Sequence, residues 1–151
     1  MMVEVPAAAL KAAAFAPHVD FFSVGTNDLT QYALATERGN PGVAALADAY
    51  DPGVLRLLAA VCAGAGEVPV AVCGELAADQ AATGLLLGLG VRELSVSPRA
   101  VAGVKQAVRG ADTATVAATA RRALDAESAQ AVRALLGAGA GAAGEASSPA
   151  G

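Results

Sequence analysis

The sequence predicts an α/β fold made of four strand–helix units, and two observations carry that prediction. Four short runs rich in Val and other apolar residues recur along the chain, each followed by a stretch with helical patterning. Proline or a capping residue stands where several of those helices should open. Strands alternating with helices pair in parallel through crossover connections. Composition agrees: of 151 residues 55% are hydrophobic and 16% charged, which is enough to bury a core. Aromatics make up 3% and Trp is absent, so that core must be built from Val, Leu and Ala.

The first run covers residues 2–5, and Pro6 then takes the first position of an Ala-rich helix ending before Pro17. The second, residues 19–24, enters a loop of Gly25, Thr26, Asn27 and Asp28 before a helix from about Leu29. Asp51 as N-cap and Pro52 open the next helix, where Val54, Leu57, Leu58, Val61, Cys62 and Ala65 keep the rhythm of one buried face. The third run, residues 68–72, ends in Cys73, Gly74 and Glu75, with a helix after Asp79. The fourth, residues 94–96, is followed by Ser97 as N-cap and Pro98. Residues 112–136 read as one final helix, with Val116, Ala120, Leu124, Val132 and Leu135 on one side. Residues 1–136 thus form the predicted domain, and the Gly, Ala and Ser of 137–151 predict a disordered tail. Four such units make half of a (β/α)8 barrel or a small open sheet, and periodicity does not choose between them.

A net charge of −4 and a pI near 4.8 argue against a nucleic-acid or anionic-membrane surface. No charge-free run approaches the roughly 18 apolar residues of a spanning helix. Met1 and Met2 lead into Val3, Glu4 and Val5 without a basic segment, so no signal peptide and a cytoplasmic location are expected. Cys62 and Cys73 supply neither a disulfide framework nor a zinc site. Cys62 falls on a buried helix face.

The polar residues of interest gather where predicted strands end. Glu4 lies at the end of the first run, Asn27 and Asp28 just past the second, and Cys73 at the end of the third. Taken singly, these read as a solvated strand end, a turn with an N-cap, and a small core hydrophobe. Taken together on one rim, two carboxylates suit Mg²⁺, which takes one or two protein carboxylates and completes its shell with water and substrate phosphate. Arg38 offers a bidentate fork for phosphate. A thiol at a strand–helix junction serves as nucleophile or, being mostly protonated at neutral pH, as general acid.

The stretch Val19-Asp20-Phe21-Phe22-Ser23-Val24-Gly25-Thr26-Asn27-Asp28-Leu29-Thr30-Gln31-Tyr32 closely resembles the signature of the PEP-utilising enzymes. Met2-Val3-Glu4-Val5-Pro6 and Val72-Cys73-Gly74-Glu75-Leu76 resemble two further motifs of that superfamily, in the right order. The resemblance runs over residues 1–109. Within the superfamily, Tyr32, residues 35–40 and residues 50–56 look most like enzyme I of the bacterial sugar phosphotransferase system. Fragments of pyruvate phosphate dikinase or PEP synthase, and a non-catalytic dimerisation module, are the alternatives.

The resemblance implies the second half of a (β/α)8 TIM-type barrel, about four βα units. It also implies roles: Glu4 and Asp28 as Mg²⁺ ligands, Asn27, Asp28 and Arg38 as contacts to phosphoenolpyruvate (PEP), and Cys73 as the acid that protonates the enolate carbon when pyruvate forms. It implies partners as well: the rest of enzyme I, through it the phosphocarrier protein HPr, and a second copy in a homodimer. No nucleic acid and no membrane insertion are expected. Departures are Glu37 and Gly39 beside Arg38, and Ala78-Asp79-Gln80 where the family more often has Gly-Asp-Pro. The phosphohistidine domain is not in this sequence, and His18, the only histidine, is expected at the opposite rim as a surface residue. Alone, a half-barrel exposes sheet edges and apolar faces, so aggregation or self-association and little activity are expected.

Overall fold

The computed structural model describes residues 1–37 and 39–145, with side chains described through Gly137. Four strands, β1 (Met2–Val3), β2 (Phe22–Gly25), β3 (Val70–Cys73) and β4 (Glu93–Leu94), form one sheet in the order β1-β2-β3-β4. Every pair is parallel, with Met2 opposite Ser23, Ser23 opposite Ala71, and Ala71 opposite Glu93. The helices between and after them are α1 (Pro6–Leu10), α2 (Ala12–Phe15), α3 (Thr26–Ala33), α4 (Pro52–Ala65), α5 (Glu75–Ala78), α6 (Gln80–Leu89), α7 (Pro98–Gly110), α8 (Thr113–Leu124) and α9 (Ala129–Glu145). The predicted α/β class with parallel pairing is therefore observed.

Strand alternation sorts the sheet into two unlike faces. The row Val3, Val24 and Val72, with Phe22 and Val70, is fully buried. It packs into one core with Ala9, Leu29, Leu55, Leu58, Val61, Leu85 and Leu86 from the helices. The opposite row holds Met2, which is 51% exposed, the part-buried Ser23, Ala71, and the exposed Glu93. The helical layer covers the first face.

Sequence cues set several boundaries. Asp51 caps α4 by accepting from the Gly53 N–H at 2.7 Å, with Pro52 at the first position. On α4, Val54, Leu58, Val61 and Ala65 are buried as the periodicity predicts, Leu57 and Cys62 are half-buried, and Leu55 joins the core as well. Asp79 caps α6 through the Ala81 N–H at 2.9 Å.

Other expectations need correction. The first strand is only Met2–Val3, because the 5→8 and 5→9 bonds accepted by the Val5 carbonyl already start α1. The first helix breaks into α1 and α2 at Lys11. The second strand begins at Phe22, since residues 16–18 wind into a 3₁₀ turn opened by Pro17. The third and fourth strands are Val70–Cys73 and Glu93–Leu94. Thr26–Asp28, expected to be loop, form the first turn of α3. The predicted final helix is two helices, interrupted before Ser128, whose Oγ accepts from the Ala131 N–H at 3.2 Å. Finally, α9 runs on to Glu145, inside the stretch where composition predicted disorder; residues 146–151 lie outside the described residues.

Candidate functional site at the strand carboxyl ends

The predicted site residues converge where β1, β2 and β3 end. Glu4 follows β1 directly, Asn27 and Asp28 occupy the first turn of α3 just after β2, and Cys73 closes β3. Glu4, Asn27, Asp28 and Cys73 are all partly buried, neither sealed from solvent nor fully open to it. His18 sits in the exposed turn before β2, at the opposite end, as expected. Arg38 lies outside the described residues. Arg92, Arg99, Lys105, Arg109, Arg121 and Arg122 are all exposed and lie outside this group.

Two glycines make the close approach between these groups possible. A Cβ on Gly25 would stand 2.9 Å from both Cγ and Oε1 of Glu4, so the Glu4 carboxylate lies in the space a side chain there would fill. Gly74, at φ +97 and ψ −172, adopts a backbone conformation restricted to glycine. A Cβ at Gly74 would sit 2.6 Å from Thr26 Oγ1 and 2.8 Å from Asn27 Oδ1.

Hydrogen bonds tie the β2 and β3 ends together. The Thr26 hydroxyl donates to the Cys73 carbonyl at 2.8 Å, and the Glu75 N–H donates to Asn27 Oδ1 at 3.1 Å. The Asn27 side-chain NH₂ thereby keeps a fixed orientation. The Cys73 thiol lies 3.6 Å from the Val24 carbonyl, an acceptor for its proton, and 3.8 Å from the donating Ser23 hydroxyl. Thr26, Ser23 and Gly74 were not singled out from sequence, although each stands within a motif quoted for the family resemblance.

The donor set fits a hard cation. Glu4 and Asp28 offer carboxylate oxygens, the ligand type that suits Mg²⁺ rather than zinc or copper. Among the described residues, no three His, Cys, Asp or Glu side chains are gathered into a closed cage. An ion held by one or two carboxylates keeps positions for water and a substrate oxygen. Asp28 also lies in the first turn of α3, where the helix end favours negative charge.

Beside this rim lies a polar cluster that sequence reasoning missed. Arg133 from α9 forks onto both oxygens of Asp48 and stacks over the Tyr50 ring, 4.3 Å from guanidinium carbon to ring centre. The Tyr50 hydroxyl donates to Asp79 Oδ2 at 2.7 Å, and its N–H donates to Asp48 Oδ1 at 2.9 Å. Burial pushes the Asp48 carboxyl up, but the bonds from Arg133 and the Tyr50 N–H outweigh it and hold Asp48 below the usual range. Burial first, and then the bond to Asp79, push the Tyr50 phenol well above its ordinary value. These residues line an open cleft of about 420 Å³ together with Asn27, Thr30 and Glu75.

Comparison with known proteins identifies the family. Residues 1–113 match the family described as PEP-utilising enzyme, PEP-binding domain. A multiphosphoryl transfer protein of Xanthomonas campestris is 49% identical over 137 residues, covering 89% of this chain and 16% of the relative. A phosphoenolpyruvate-protein phosphotransferase of Haloferax volcanii is 51% identical over 138 residues, covering 90% of this chain and 24% of the relative. A protein of Salmonella typhimurium named for the phosphoenolpyruvate-dependent phosphotransferase system is 42% identical over 135 residues, covering 88% and 18%. The chain therefore spans a quarter or less of the length of these curated relatives. On the family match and these identities, the chain belongs to the PEP-utilising enzymes, within their PEP-binding domain.

Proposed function

We propose that this chain is the second half of a (β/α)8 barrel in a phosphoenolpyruvate-protein phosphotransferase, where it binds Mg²⁺-complexed PEP and protonates the departing enolate. One observation carries the reading: Glu4, Asn27 with Asp28, and Cys73 stand at the carboxyl ends of three neighbouring parallel strands. Barrel enzymes assemble their chemistry at that end. The strand order follows the chain order without reversal, which supports a barrel segment over a doubly wound sheet, where order reverses at a switch point. The printed names of the relatives support the reaction.

Glu4 and Asp28 would hold the ion, whose chemistry when bound is to neutralise phosphate charge. Asn27, its oxygen engaged by the Glu75 N–H, keeps its NH₂ to donate to an acceptor such as a phosphate oxygen. Arg38 joins them as a phosphate fork in this reading. The phosphorus–oxygen bond of PEP breaks as the phosphoryl group passes to a histidine elsewhere in the native polypeptide, and from there to HPr. Pyruvate enolate remains, and the Cys73 S–H transfers its proton to the enolate carbon, giving pyruvate and a thiolate. The Ser23 hydroxyl at 3.8 Å donates toward that sulfur and steadies the thiolate. The same reading places the protein in the cytoplasm as a homodimer serving sugar uptake. Among the described residues no helix is long and apolar enough to cross a membrane.

Calorimetric titration of the native polypeptide with PEP, with and without Mg²⁺, tests the proposal. Binding should require Mg²⁺, and Asp28→Asn or Glu4→Gln should weaken it roughly tenfold to a hundredfold, as expected for a lost charged contact. Cys73→Ala should keep PEP affinity and lose pyruvate formation. Affinity indifferent to Mg²⁺ and to both carboxylate changes would refute the site.

A further inference from the structure

The cluster around Tyr50 connects three distant parts of the chain, and its connections continue to a proposed substrate contact. Arg133 of α9 holds Asp48, which stands 85 residues earlier in the chain. Asp48 accepts from the Tyr50 N–H, and the Tyr50 hydroxyl donates to Asp79. Asp79 follows α5, its own N–H donating to the Glu75 carbonyl at 3.2 Å while its Oδ1 caps α6. The Glu75 N–H in turn donates to Asn27. A hydrogen bond thus joins each residue on the path from Arg133 of α9 to Asn27 to the next. Tyr50 is the pivot, with 4% of its surface exposed.

We infer that Arg133 and Tyr50 are positioning residues, which brace α5 through Asp79 and so hold Asn27 in the orientation its substrate contact needs. An exposed ion pair alone contributes little. This one is bidentate and stacked on a buried ring, so moving Arg133 moves Tyr50. The held Asp48 carboxyl and the raised Tyr50 phenol agree with a tightly made network. Cys73 is positioned separately, by Thr26, Val24 and Ser23. Loss of the brace therefore acts on PEP binding and spares proton transfer. The role of Asn27 rests on the function proposed above, whereas the brace itself does not.

Two variants in the native polypeptide separate these points. Tyr50→Phe deletes only the hydroxyl that reaches Asp79 and keeps the ring under Arg133, so folding is preserved. Arg133→Lys keeps the charge and loses the fork. Exchange of the Glu75 amide, read by NMR without substrate, should quicken roughly threefold to thirtyfold, the range of coupling carried by such networks. KM for PEP should rise by a similar factor while kcat stays within about twofold. Unchanged Glu75 exchange in both variants overturns the brace. Quickened exchange with an unchanged KM overturns the positioning role. Should the wild-type protein not turn over PEP at all, the proposed function falls, and Glu75 exchange alone still decides the brace.

Discussion

Replacing Gly74 by Ala should destabilise the fold and the site together. The residue holds φ +97 and ψ −172, a region essentially closed to other residues, and forcing Ala into it costs about 1–3 kcal/mol. The new Cβ would also stand 2.6 Å from Thr26 Oγ1 and 2.8 Å from Asn27 Oδ1, far inside contact distance. Both atoms must withdraw, which breaks the bond from Thr26 to the Cys73 carbonyl and the bond from the Glu75 N–H to Asn27. Each contributes about 0.5–1.5 kcal/mol net. The sum is about 2–6 kcal/mol, a large part of the roughly 5–15 kcal/mol that stabilises a typical domain. Urea unfolding followed by far-UV circular dichroism reads this directly. With a slope of about 2 kcal/mol per molar, a loss near 4 kcal/mol lowers the midpoint by about 2 M. Gly110→Ala is the matched control, since it ends a helix and its Cβ meets nothing within 4 Å. It should be neutral or stabilising by up to about 1 kcal/mol. A Gly74→Ala midpoint within about 0.3 M of wild type would refute both the strain and the steric argument.

Gly25→Ala should behave differently, because its Cβ meets the flexible Glu4 side chain and its backbone is unstrained. Stability should stay within about 0.5 kcal/mol while Mg²⁺-dependent PEP affinity falls, and calorimetry beside urea unfolding would expose the opposite pattern. Thr83 is fully buried with a hydroxyl that has no hydrogen-bond partner, so Thr83→Val should raise stability by about 1 kcal/mol; a loss by denaturant unfolding would contradict this. Burial raises the Cys62 thiol from 9.0 to about 11, against the smaller opposing pull of Arg92. The fold therefore keeps a proton that the unfolded chain gives up, so stability is complete below pH 9 and declines as pH climbs to about 11. Cys62→Ala should flatten the part of that decline below pH 10, and an unaltered pH profile would count against it.

The placement of the candidate site residues was largely legible because its determinants are local. Glu4, Asn27, Asp28 and Cys73 fall at strand ends whatever the exact strand boundaries, since a shift of one or two residues leaves them at the same rim. The boundaries themselves were less readable. Short parallel strands of two to four residues carry little periodicity, and helix-starting bonds from the Val5 carbonyl claimed residues that looked extended. The break before α9 did have a signal, Ser128 as a cap, but the apolar spacing of Val116 through Leu135 ran across it unbroken. The Arg133–Asp48–Tyr50–Asp79 cluster had none. Periodicity reports one element at a time, and an ion pair between α9 and the segment before α4 exists only after both have packed.

The two faces of the sheet link chemistry to completeness. Parallel sheets are ordinarily covered on both faces, because crossover connections place apolar residues on each. Here the Val3, Val24 and Val72 row is sealed under helices. In the row of Met2, Ser23, Ala71 and Glu93, Met2 and Glu93 are exposed, Ser23 is part-buried and only Ala71 is buried. Glu4, packed against Gly25, and Cys73, within reach of Ser23, continue that second face toward the strand ends. The less covered face and the candidate chemical face are therefore the same surface. A ligand held there by Glu4, Asn27 and Asp28 would be walled on one side only by this chain. In the barrel proposed above, further strands closing against β1 and β4 would bury that surface and exclude water from the site in one step. On this argument, tight PEP binding and burial of the Met2 face should appear together in the barrel proposed above, and neither should be gained without the other.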